Sequence, residues 1–317
     1  MSIIEQAAKR LEELSRAGID VQRPQDGHVE GRRAGPPAGL TLLPPGAMPL
    51  PPPEARQRHA PLQTAAGADL MSLAGGEVEL DLAGLQAGGY LVPGDTGSRH
   101  AEEFRQIKRP LVKNARSKEA VANRLSLIMV TSALPGEGKT YSALNLAMSI
   151  ATEIDLSVLL VDADVVRPQA MRRLGVGAEV GLMDLLMDKS LTLPDVVLRT
   201  NVPKLSVLPA GRRNHLSTEL LASSAMEDLL RQLANDFPRL VVVFDAPPLL
   251  VTNEAKVLAS RVGQIMFVVE AGRTDRSVVQ QAFATLEQHP IVMSVLNKST
   301  MADKSDGYGY GYGYGYD

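Results

Sequence analysis

The 317-residue sequence contains no cysteine. This absence excludes disulfide frameworks and thiolate metal sites, and it fits a reducing cytoplasm. No stretch approaches 18 consecutive apolar residues, so we expect no segment to span a bilayer. Charged residues near the N-terminus interrupt the apolar core that a signal peptide needs. The formal net charge is only −3, which gives no reason to expect nucleic acid or a bare anionic membrane as a partner.

Proline, in contrast, is concentrated in one zone. Residues 22–76 hold about half of the 21 prolines, so we predict a disordered, extended linker there, with a proline-motif ligand as the alternative. Before this zone, residues 1–21 contain apolar residues at helical spacing, and Ser2 and Glu5 form a capping box at the start of the predicted helix. We interpret this amphipathic helix as a docking element for another protein or as a helix that folds back on the main domain.

Two further segments carry helix and sheet patterns. Residues 77–124 regain helical character, with alternating charge at Glu102, Arg105 and Lys108 that a solvated helix face would also explain. Residues 125–300 alternate near-continuous apolar runs with helical patterns, which predicts an α/β domain with a doubly wound, mostly parallel sheet covered by helices on both faces. Ligands bind such a sheet at the carboxyl ends of its strands. The predicted strands are 125–131, 156–161, 204–208, 240–244, 264–269 and 291–296.

A phosphate-binding loop follows the first of these strands and opens a predicted helix over 139–150. Gly136 and Gly138 let backbone amides turn towards phosphate groups. Lys139 can reach the β- and γ-phosphates, and the Thr140 hydroxyl can bind Mg²⁺. The loop therefore predicts a P-loop NTPase that binds a nucleoside triphosphate with Mg²⁺. The residues predicted to contact the nucleotide are Ala133, which replaces the usual first glycine, Leu134, Pro135, Gly136, Glu137, Gly138, Lys139, Thr140 and Tyr141.

Aspartates end two other apolar strands. Asp162 and Asp164 follow one apolar run, and Asp245 follows another. A carboxylate at the end of a buried strand is costly unless it is paired or metal-bound, so a magnesium ion beside the phosphate loop accounts for these residues. Helix capping in the loop that follows is the structural alternative for Asp245. Arg167 is expected to contact phosphate or to pair with one of the aspartates.

The C-terminal segment, residues 301–317, carries five of the seven tyrosines. They alternate with glycine, which denies the segment a side-chain core, so we predict a flexible tail that exposes every tyrosine ring. Low-complexity association is the alternative interpretation of such a segment. The tyrosines are Tyr308, Tyr310, Tyr312, Tyr314 and Tyr316.

Three motifs in this order closely resemble the Walker motifs of bacterial tyrosine kinases, which are P-loop enzymes of the partition-ATPase branch. The motifs are residues 132–140, 161–168 and 244–248, and the resemblance covers roughly 102–317, including the tyrosine-rich tail that such kinases autophosphorylate. The N-terminal helix, the proline-rich linker and residues 102–109 resemble, more narrowly, the exosortase-associated tyrosine autokinases. Those are encoded with exopolysaccharide export systems.

The resemblance implies a role for each matching residue. Lys139 and Thr140 match the phosphate and magnesium positions, and Asp245 matches a metal-side aspartate. Of Asp162 and Asp164, one is implied to coordinate the metal and the other to receive the tyrosine proton. We assign the proton to Asp164, with the reverse assignment left open. Lys139 and the three aspartates are then the catalytic residues, and Thr140, Asp162 and Asp245 hold the metal.

Two further matches concern the base and the oligomer. Asn297 resembles the adenine-reading asparagine of the wider branch. Glu102, Arg105 and Lys108 lie where the family carries a Glu-x-x-Arg-x-x-Arg oligomerisation motif. A lysine at the last position lacks the bidentate fork of arginine, so the resemblance leaves a ring or a dimer open.

The leading interpretation is an ATP-dependent protein-tyrosine autokinase that phosphorylates its tail between subunits and regulates exopolysaccharide synthesis or export. The resemblance also implies a membrane-embedded polysaccharide chain-length determinant as the partner of the first helix, a cognate tyrosine phosphatase, and a cytoplasmic location, peripheral at the inner membrane through that partner. A nucleotide-switched assembly scaffold related to the partition ATPases is the alternative. A partition-type dimer is disfavoured, because Leu134 stands where those ATPases place their signature lysine.

Overall fold

The computed structural model describes Leu70 and residues 74–95 and 97–299. The predicted docking helix over 1–21, nearly all of the predicted linker and the tail over 301–317 lie outside the described residues. Within residues 74–95 and 97–299, no helix is both long and apolar enough to cross a membrane.

An eight-stranded sheet forms the centre of the described part of the chain. The strands are β1 (Gly76–Val78), β2 (Leu127–Ser132), β3 (Ser157–Asp162), β4 (Leu198–Thr200), β5 (Leu205–Leu208), β6 (Leu240–Asp245), β7 (Gln264–Glu270) and β8 (Val292–Asn297). Their order across the sheet is β1-β4-β5-β3-β6-β2-β7-β8. Neighbouring strands are parallel, except that β4 and β5 pair antiparallel.

Helices cover both faces of this sheet. They are α1 (Leu82–Ala87), α2 (Arg99–Ala115), α3 (Lys139–Ala151), α4 (Ala170–Arg173), α5 (Leu182–Met187), α6 (Leu193–Val196), α7 (Ser217–Ala222), α8 (Ser224–Asn235), α9 (Asn253–Ala259) and α10 (Arg276–Ala284). Leu127 and Met129 of β2 pack into a core with α8 and α9, whereas Ile128 and Val130 pack into a second core with α2 and α3. Successive side chains of a strand point to opposite faces, so both faces of β2 are apolar and buried.

The predicted doubly wound, mostly parallel sheet is therefore confirmed, and the predicted strands end within two residues of the observed ones. The strands β1 and β4, which pair with each other at Gly76 and Leu198, were not predicted from the sequence. Each of these strands has only three residues, none of them fully buried, and so short a segment carries no periodic pattern that a sequence can reveal. The boundary predicted between residues 76 and 77 falls inside β1, so the lead-in segment starts in the same sheet as the predicted kinase domain.

The sheet order determines where the site lies. The central strand β2 lies between β6 and β7, and β6 also pairs with β3, placing Asp162 opposite Asp245 in register. Because these strands are parallel, their carboxyl ends meet at one edge of the sheet. The phosphate loop and both aspartate-bearing turns therefore come together at that edge.

Candidate active site

The phosphate loop connects the end of β2 at Ser132 to the start of α3 at Lys139. Gly136 and Gly138 adopt positive φ angles of 91° and 101°, a region that residues with a Cβ rarely enter. Gly138 is also required for steric reasons, because a Cβ there would lie 2.0 Å from Nδ2 of Asn297. The loop thus presents its amides at the N-terminus of a helix, where an anion is favoured.

Glu137 braces this loop from within. Its side chain is buried; one carboxylate oxygen accepts a hydrogen bond from the Leu134 amide at 2.6 Å and the other accepts one from the Thr274 hydroxyl at 2.5 Å. The Glu137 side chain therefore holds the loop in shape, and its predicted contact with the nucleotide stays a prediction.

Residues at the end of β8 and directly after it hold the same loop from the other side. The Asn297 amide donates to the Glu137 carbonyl at 2.9 Å, and Nζ of Lys298 donates to the Gly136 carbonyl at 2.7 Å. Lys298 is in turn paired with Glu270 at 3.1 Å. The predicted adenine-reading residue Asn297 thus contacts the phosphate loop directly, whereas Lys298 gave no signal in the sequence because its role depends on the fold.

The first three residues of the predicted loop differ in exposure. Ala133 is fully buried, Leu134 is exposed, and Pro135 lines a cavity of about 320 Å³ beside the loop. We call this the catalytic cavity. Its remaining walls come from the loop and α3, from the segment after β3, and from the segment after β6. They are Gly136, Gly138, Lys139, Thr140, Tyr141, Asp164, Val166, Arg167, Gln169, Arg173, Pro247, Pro248, Val251 and Thr252.

Lys139 lies at the centre of the predicted catalytic set. Its Nζ is 2.7 Å from Oδ2 of Asp164 and 3.9 Å from Oδ1 of Asp245. All three side chains are buried or nearly so. The structure therefore brings the predicted phosphate-binding cation together with two of the three predicted aspartates.

Asp162 and Asp245 lie beneath the cavity. Asp162 Oδ2 accepts hydrogen bonds from the amides of Ala170 and Met171, at 2.9 and 3.4 Å, which open α4. Its Oδ1 and both oxygens of Asp245 are buried without a hydrogen-bond partner among the described residues. Three buried carboxylate oxygens without donors are unusual in a folded protein.

Burial dominates the protonation of this pair. It raises the pKa of Asp162 to about 7, with a further contribution from the charge of Asp245. Burial likewise raises the pKa of Asp245 to about 6, against the opposing effect of the Lys139 ammonium. The two carboxyls therefore hold protons far more readily than solvated ones do, unless a cation binds beside them.

Asp164 differs from both, because it faces the catalytic cavity. Its Oδ2 pairs with Lys139, and its Oδ1 accepts a hydrogen bond from the Arg167 amide at 3.0 Å. The Arg167 side chain is exposed along the cavity wall, and among the described residues its guanidinium pairs with no carboxylate. The predicted pairing of Arg167 with an aspartate is thus a hydrogen bond from its backbone amide and not an ion pair of its side chain. The predicted contact with phosphate stays a prediction.

A second cavity, of about 390 Å³, lies between α2, the start of α3 and the end of β8. Tyr141 lines both cavities. The other residues that line the second one are Arg99, His100, Glu103, Phe104, Ile107, Ser142, Val295, Leu296, Asn297, Lys298 and Ser299. Two spaces therefore adjoin the first turn of the phosphate-loop helix.

A set of polar and aromatic contacts that the sequence did not predict lies beside this turn. The Tyr141 hydroxyl donates to the Gly89 carbonyl at 2.8 Å and lies 3.0 Å from Nε2 of His100. The Tyr90 ring lies 5.2 Å from the Tyr141 ring, and its hydroxyl accepts a hydrogen bond from Arg173. The hydrogen-bonded partners are 41 or more positions apart along the chain, so no local pattern could have joined them.

The predicted oligomerisation residues separate in the structure. Glu102 and Arg105 form an ion pair with each other on a partly exposed face of α2. Lys108 points inward: its Nζ donates to the Ser149 carbonyl at 2.6 Å and pairs with Glu153 at 2.9 Å. Lys108 therefore fastens α2 to the end of α3, a contact inside the chain.

The predicted metal ligands do not form a complete site by themselves. Within the described ranges, no three side chains of the histidine, cysteine, aspartate or glutamate type form a cluster that could hold a metal ion. The donor-free oxygens of Asp162 and Asp245 nevertheless suit a cation that keeps most of its ligands as water and phosphate oxygen, which is how Mg²⁺ binds. The predicted acceptor tyrosines of the tail lie outside the described residues.

Comparison with known proteins agrees with this geometry. A family model described as an AAA domain matches residues 126–281. The tyrosine-protein kinase YwqD of Bacillus subtilis is 30% identical over 215 residues, which are 67% of this chain and 86% of that protein. The succinoglycan biosynthesis transport protein ExoP of Rhizobium meliloti is 33% identical over 212 residues, 64% of this chain but only 25% of ExoP.

A solved structure gives the same answer. The kinase domain of the Escherichia coli tyrosine kinase ETK superposes with a TM-score of 0.53 at 27% identity, covering 67% of this chain and 80% of that domain. Such a P-loop fold binds a nucleotide. The motifs, the sheet order and these similarities together place the chain in the family of bacterial tyrosine-protein kinases.

Proposed function

We propose that this protein-tyrosine kinase is an autokinase that transfers the γ-phosphoryl group of ATP to the five tyrosines of its own tail. The observation that carries the proposal is the 2.7 Å contact between Lys139 and Asp164 at the wall of the catalytic cavity. It places a phosphate-binding cation and a cavity-facing base side by side. The tail offers an acceptor that is rich in tyrosine and poor in competing side chains.

ATP would occupy both cavities. The loop amides and Lys139 would hold its triphosphate, and the second cavity, lined by Tyr141 and Asn297, would hold its nucleoside. Lys139 exchanges its contact with Asp164 for the β- and γ-phosphates. That exchange frees the Asp164 carboxylate to face the acceptor.

Mg²⁺ would be held by the Thr140 hydroxyl and, directly or through water, by Asp162 and Asp245. The donor-free oxygens of both aspartates support this assignment. When bound, the ion neutralises charge on the β- and γ-phosphates. The two aspartates are then charged at neutral pH, since a nearby cation lowers their pKa.

Asp164 would act as the proton acceptor. A tyrosine hydroxyl has a pKa near ~10, so it needs a neighbouring base as bonding develops. The bond between the tyrosine oxygen and the γ-phosphorus forms as the bond from that phosphorus to the bridging oxygen breaks. ADP leaves, and the hydroxyl proton passes to Asp164.

Transfer between subunits is the route that the sheet order favours. The tail continues from β8, which is four strands away from β3, or roughly 19 Å at ordinary strand spacing. The central strand β2 and its phosphate loop lie between them. A tail that entered its own cavity would have to reach past β2 and the phosphate loop, whereas the tail of a neighbouring subunit is not tied to that β8.

A complementation experiment tests this proposal. One full-length chain carries Lys139→Met and keeps its tail; the other keeps Lys139 but has all five tail tyrosines replaced by phenylalanine. We expect phosphate on the tail of the Lys139→Met chain only when the two are mixed with ATP and Mg²⁺. No transfer in the mixture, although wild-type chains become phosphorylated, would contradict transfer between subunits.

The same experiment distinguishes the alternative function. A wild-type chain that binds ATP and assembles but transfers no phosphate would be a nucleotide-switched scaffold.

We further propose that the chain regulates exopolysaccharide synthesis or export and reaches the inner membrane from the cytoplasm through a chain-length partner. The similarity to ExoP supports this, because ExoP is named a transport protein and three quarters of it lie outside the match. A separate membrane protein would supply that part and bind the helix predicted over 1–21, and a tyrosine phosphatase would reset the tail. Loss of binding on deletion of residues 1–21 tests the docking.

A further inference from the structure

The turn after α1 is fastened to the phosphate-loop helix. Gly89 accepts the hydrogen bond of the Tyr141 hydroxyl at 2.8 Å, and the Leu91 amide donates to Oδ1 of Asn145 at 2.7 Å within a buried environment. Gly89 has a φ of 80°, which a residue with a side chain rarely adopts. The position of this turn is therefore set by α3 on both sides of Tyr90.

Tyr90 in turn contacts a residue of the catalytic cavity. Its ring packs against that of Tyr141 at 5.2 Å, and its hydroxyl accepts a hydrogen bond from Nη1 of Arg173 at 3.0 Å. The other terminal nitrogen of Arg173 donates to Oε1 of Gln169 at 3.3 Å. Arg173 and Gln169 both line the catalytic cavity.

These partners have a chemical consequence. Both acceptors of Arg173 are neutral oxygens, and no carboxylate among the described residues pairs with it. Its positive charge is therefore held in place without being neutralised.

We propose that Arg173 contacts the phosphoryl group during transfer and that Tyr90 is the residue that positions it. Charge on the transferred group must be met by fixed donors in the site, and a guanidinium offers several in a planar fork. An exposed arginine loses much side-chain freedom when it is fixed, and the Tyr90 hydroxyl pre-orders it. The inference rests on the proposed function, because it concerns the same transfer.

The test uses four full-length variants: Arg173→Ala, Tyr90→Phe, the two combined, and Arg172→Ala as the matched control. Arg172 is the preceding exposed arginine and does not line the catalytic cavity. For each, the rate of phosphate transfer to the Lys139→Met chain is measured at saturating ATP, with the KM for ATP and the melting temperature.

We expect Arg173→Ala to lower kcat about 100-fold, with Arg172→Ala within twofold of wild type. Tyr90→Phe keeps the ring but loses the acceptor, so kcat should fall about fivefold while the melting temperature and the KM for ATP stay unchanged. The double variant should be no slower than Arg173→Ala, because Tyr90 acts through Arg173. If Tyr90 had only a structural role, Tyr90→Phe would lower the melting temperature, and its fold-loss in kcat would multiply with that of Arg173→Ala in the double variant.

Two results would overturn the inference: full kcat in Arg173→Ala, or losses that multiply in the double variant. A wild-type chain that phosphorylates no tyrosine contradicts the proposed function instead. In that case, the rate of ATP hydrolysis is compared between wild type and Arg173→Ala in the same samples. A slower rate in Arg173→Ala would support the inference, because Arg173 contacts the phosphoryl group whether water or tyrosine receives it. Equal hydrolysis by wild type and Arg173→Ala would overturn it there too.

Discussion

Asp162, Asp164 and Asp245 carry the same side chain at the same edge of the sheet but have different surroundings. Asp164 faces the catalytic cavity and has hydrogen-bond partners for both oxygens, whereas Asp162 and Asp245 are buried and retain oxygens without donors. The sequence predicted all three as site residues. Which of them faces the cavity could not be predicted, because it depends on how the segment after β3 turns.

Replacement of the cavity-facing aspartate should separate binding from transfer. In Asp164→Asn, we expect tyrosine phosphorylation to fall about 100-fold or more, because the proton acceptor is lost. Affinity for an ATP analogue should change by only a few fold, since Lys139 and the loop amides remain. Rapid-quench phosphorylation and calorimetric binding measure the two quantities. Full phosphorylation in this variant would assign the proton to another group.

Replacement of a buried aspartate should stabilise the nucleotide-free chain in a pH-dependent way. Burial raises the pKa of Asp162 from 3.8 to about 7, so the folded state binds this proton more tightly than the unfolded state. The stability that this provides is present below pH 4 and is lost as the pH rises towards 7. Asp162→Asn avoids that loss and still accepts the hydrogen bonds from α4.

We therefore expect Asp162→Asn to melt higher than wild type in EDTA, with a gain that grows between pH 5 and pH 8. The gain corresponds to on the order of 2–4 kcal/mol. Thermal melts at several pH values measure it. A gain that is independent of pH, or that shrinks as the pH rises, would contradict the account.

At the scale of elements, the sequence predicted those helices, strands and loops whose conformation depends on residues close in sequence. The long apolar strands and the phosphate loop depend on neighbouring residues, and they lie where the sequence placed them. Contacts between distant segments could not be predicted. Glu137 appears in a nucleotide motif yet bonds to Thr274, and Lys108 appears in a charged surface pattern yet is buried against α3.

The burial of Lys108 predicts a stability effect. Lys108→Ala leaves the partly buried Glu153 without its nearest cation and removes two donated hydrogen bonds at the end of α3. We expect a loss of about 3 kcal/mol in urea denaturation. Arg109→Ala, at the next and exposed position, is the matched control and should cost little. Equal stability of the two variants would show that Lys108 does not fasten α2.

At the scale of the whole molecule, the tail changes the charge of any assembly that it enters. Each phosphorylated tyrosine adds about −1.5 to −2 charges, hence roughly −8 to −10 over the five. We expect phosphorylated chains to form smaller or weaker oligomers than unphosphorylated ones, with the difference reduced at high salt because repulsion is screened. Sedimentation velocity at low and high salt checks this. Identical oligomers in both states would exclude the tail from the interface.

The central claim is that the site formed by Lys139, Asp164 and the phosphate loop transfers phosphate to the tail. Intact-mass measurement after incubation with ATP and Mg²⁺, followed by site mapping, tests it most directly. We expect up to five added phosphates on Tyr308–Tyr316 in the wild-type chain and none in Lys139→Met. Absence of phosphate from these tyrosines in the wild-type chain would contradict the central claim. So would phosphate on the Lys139→Met chain when that chain is incubated by itself.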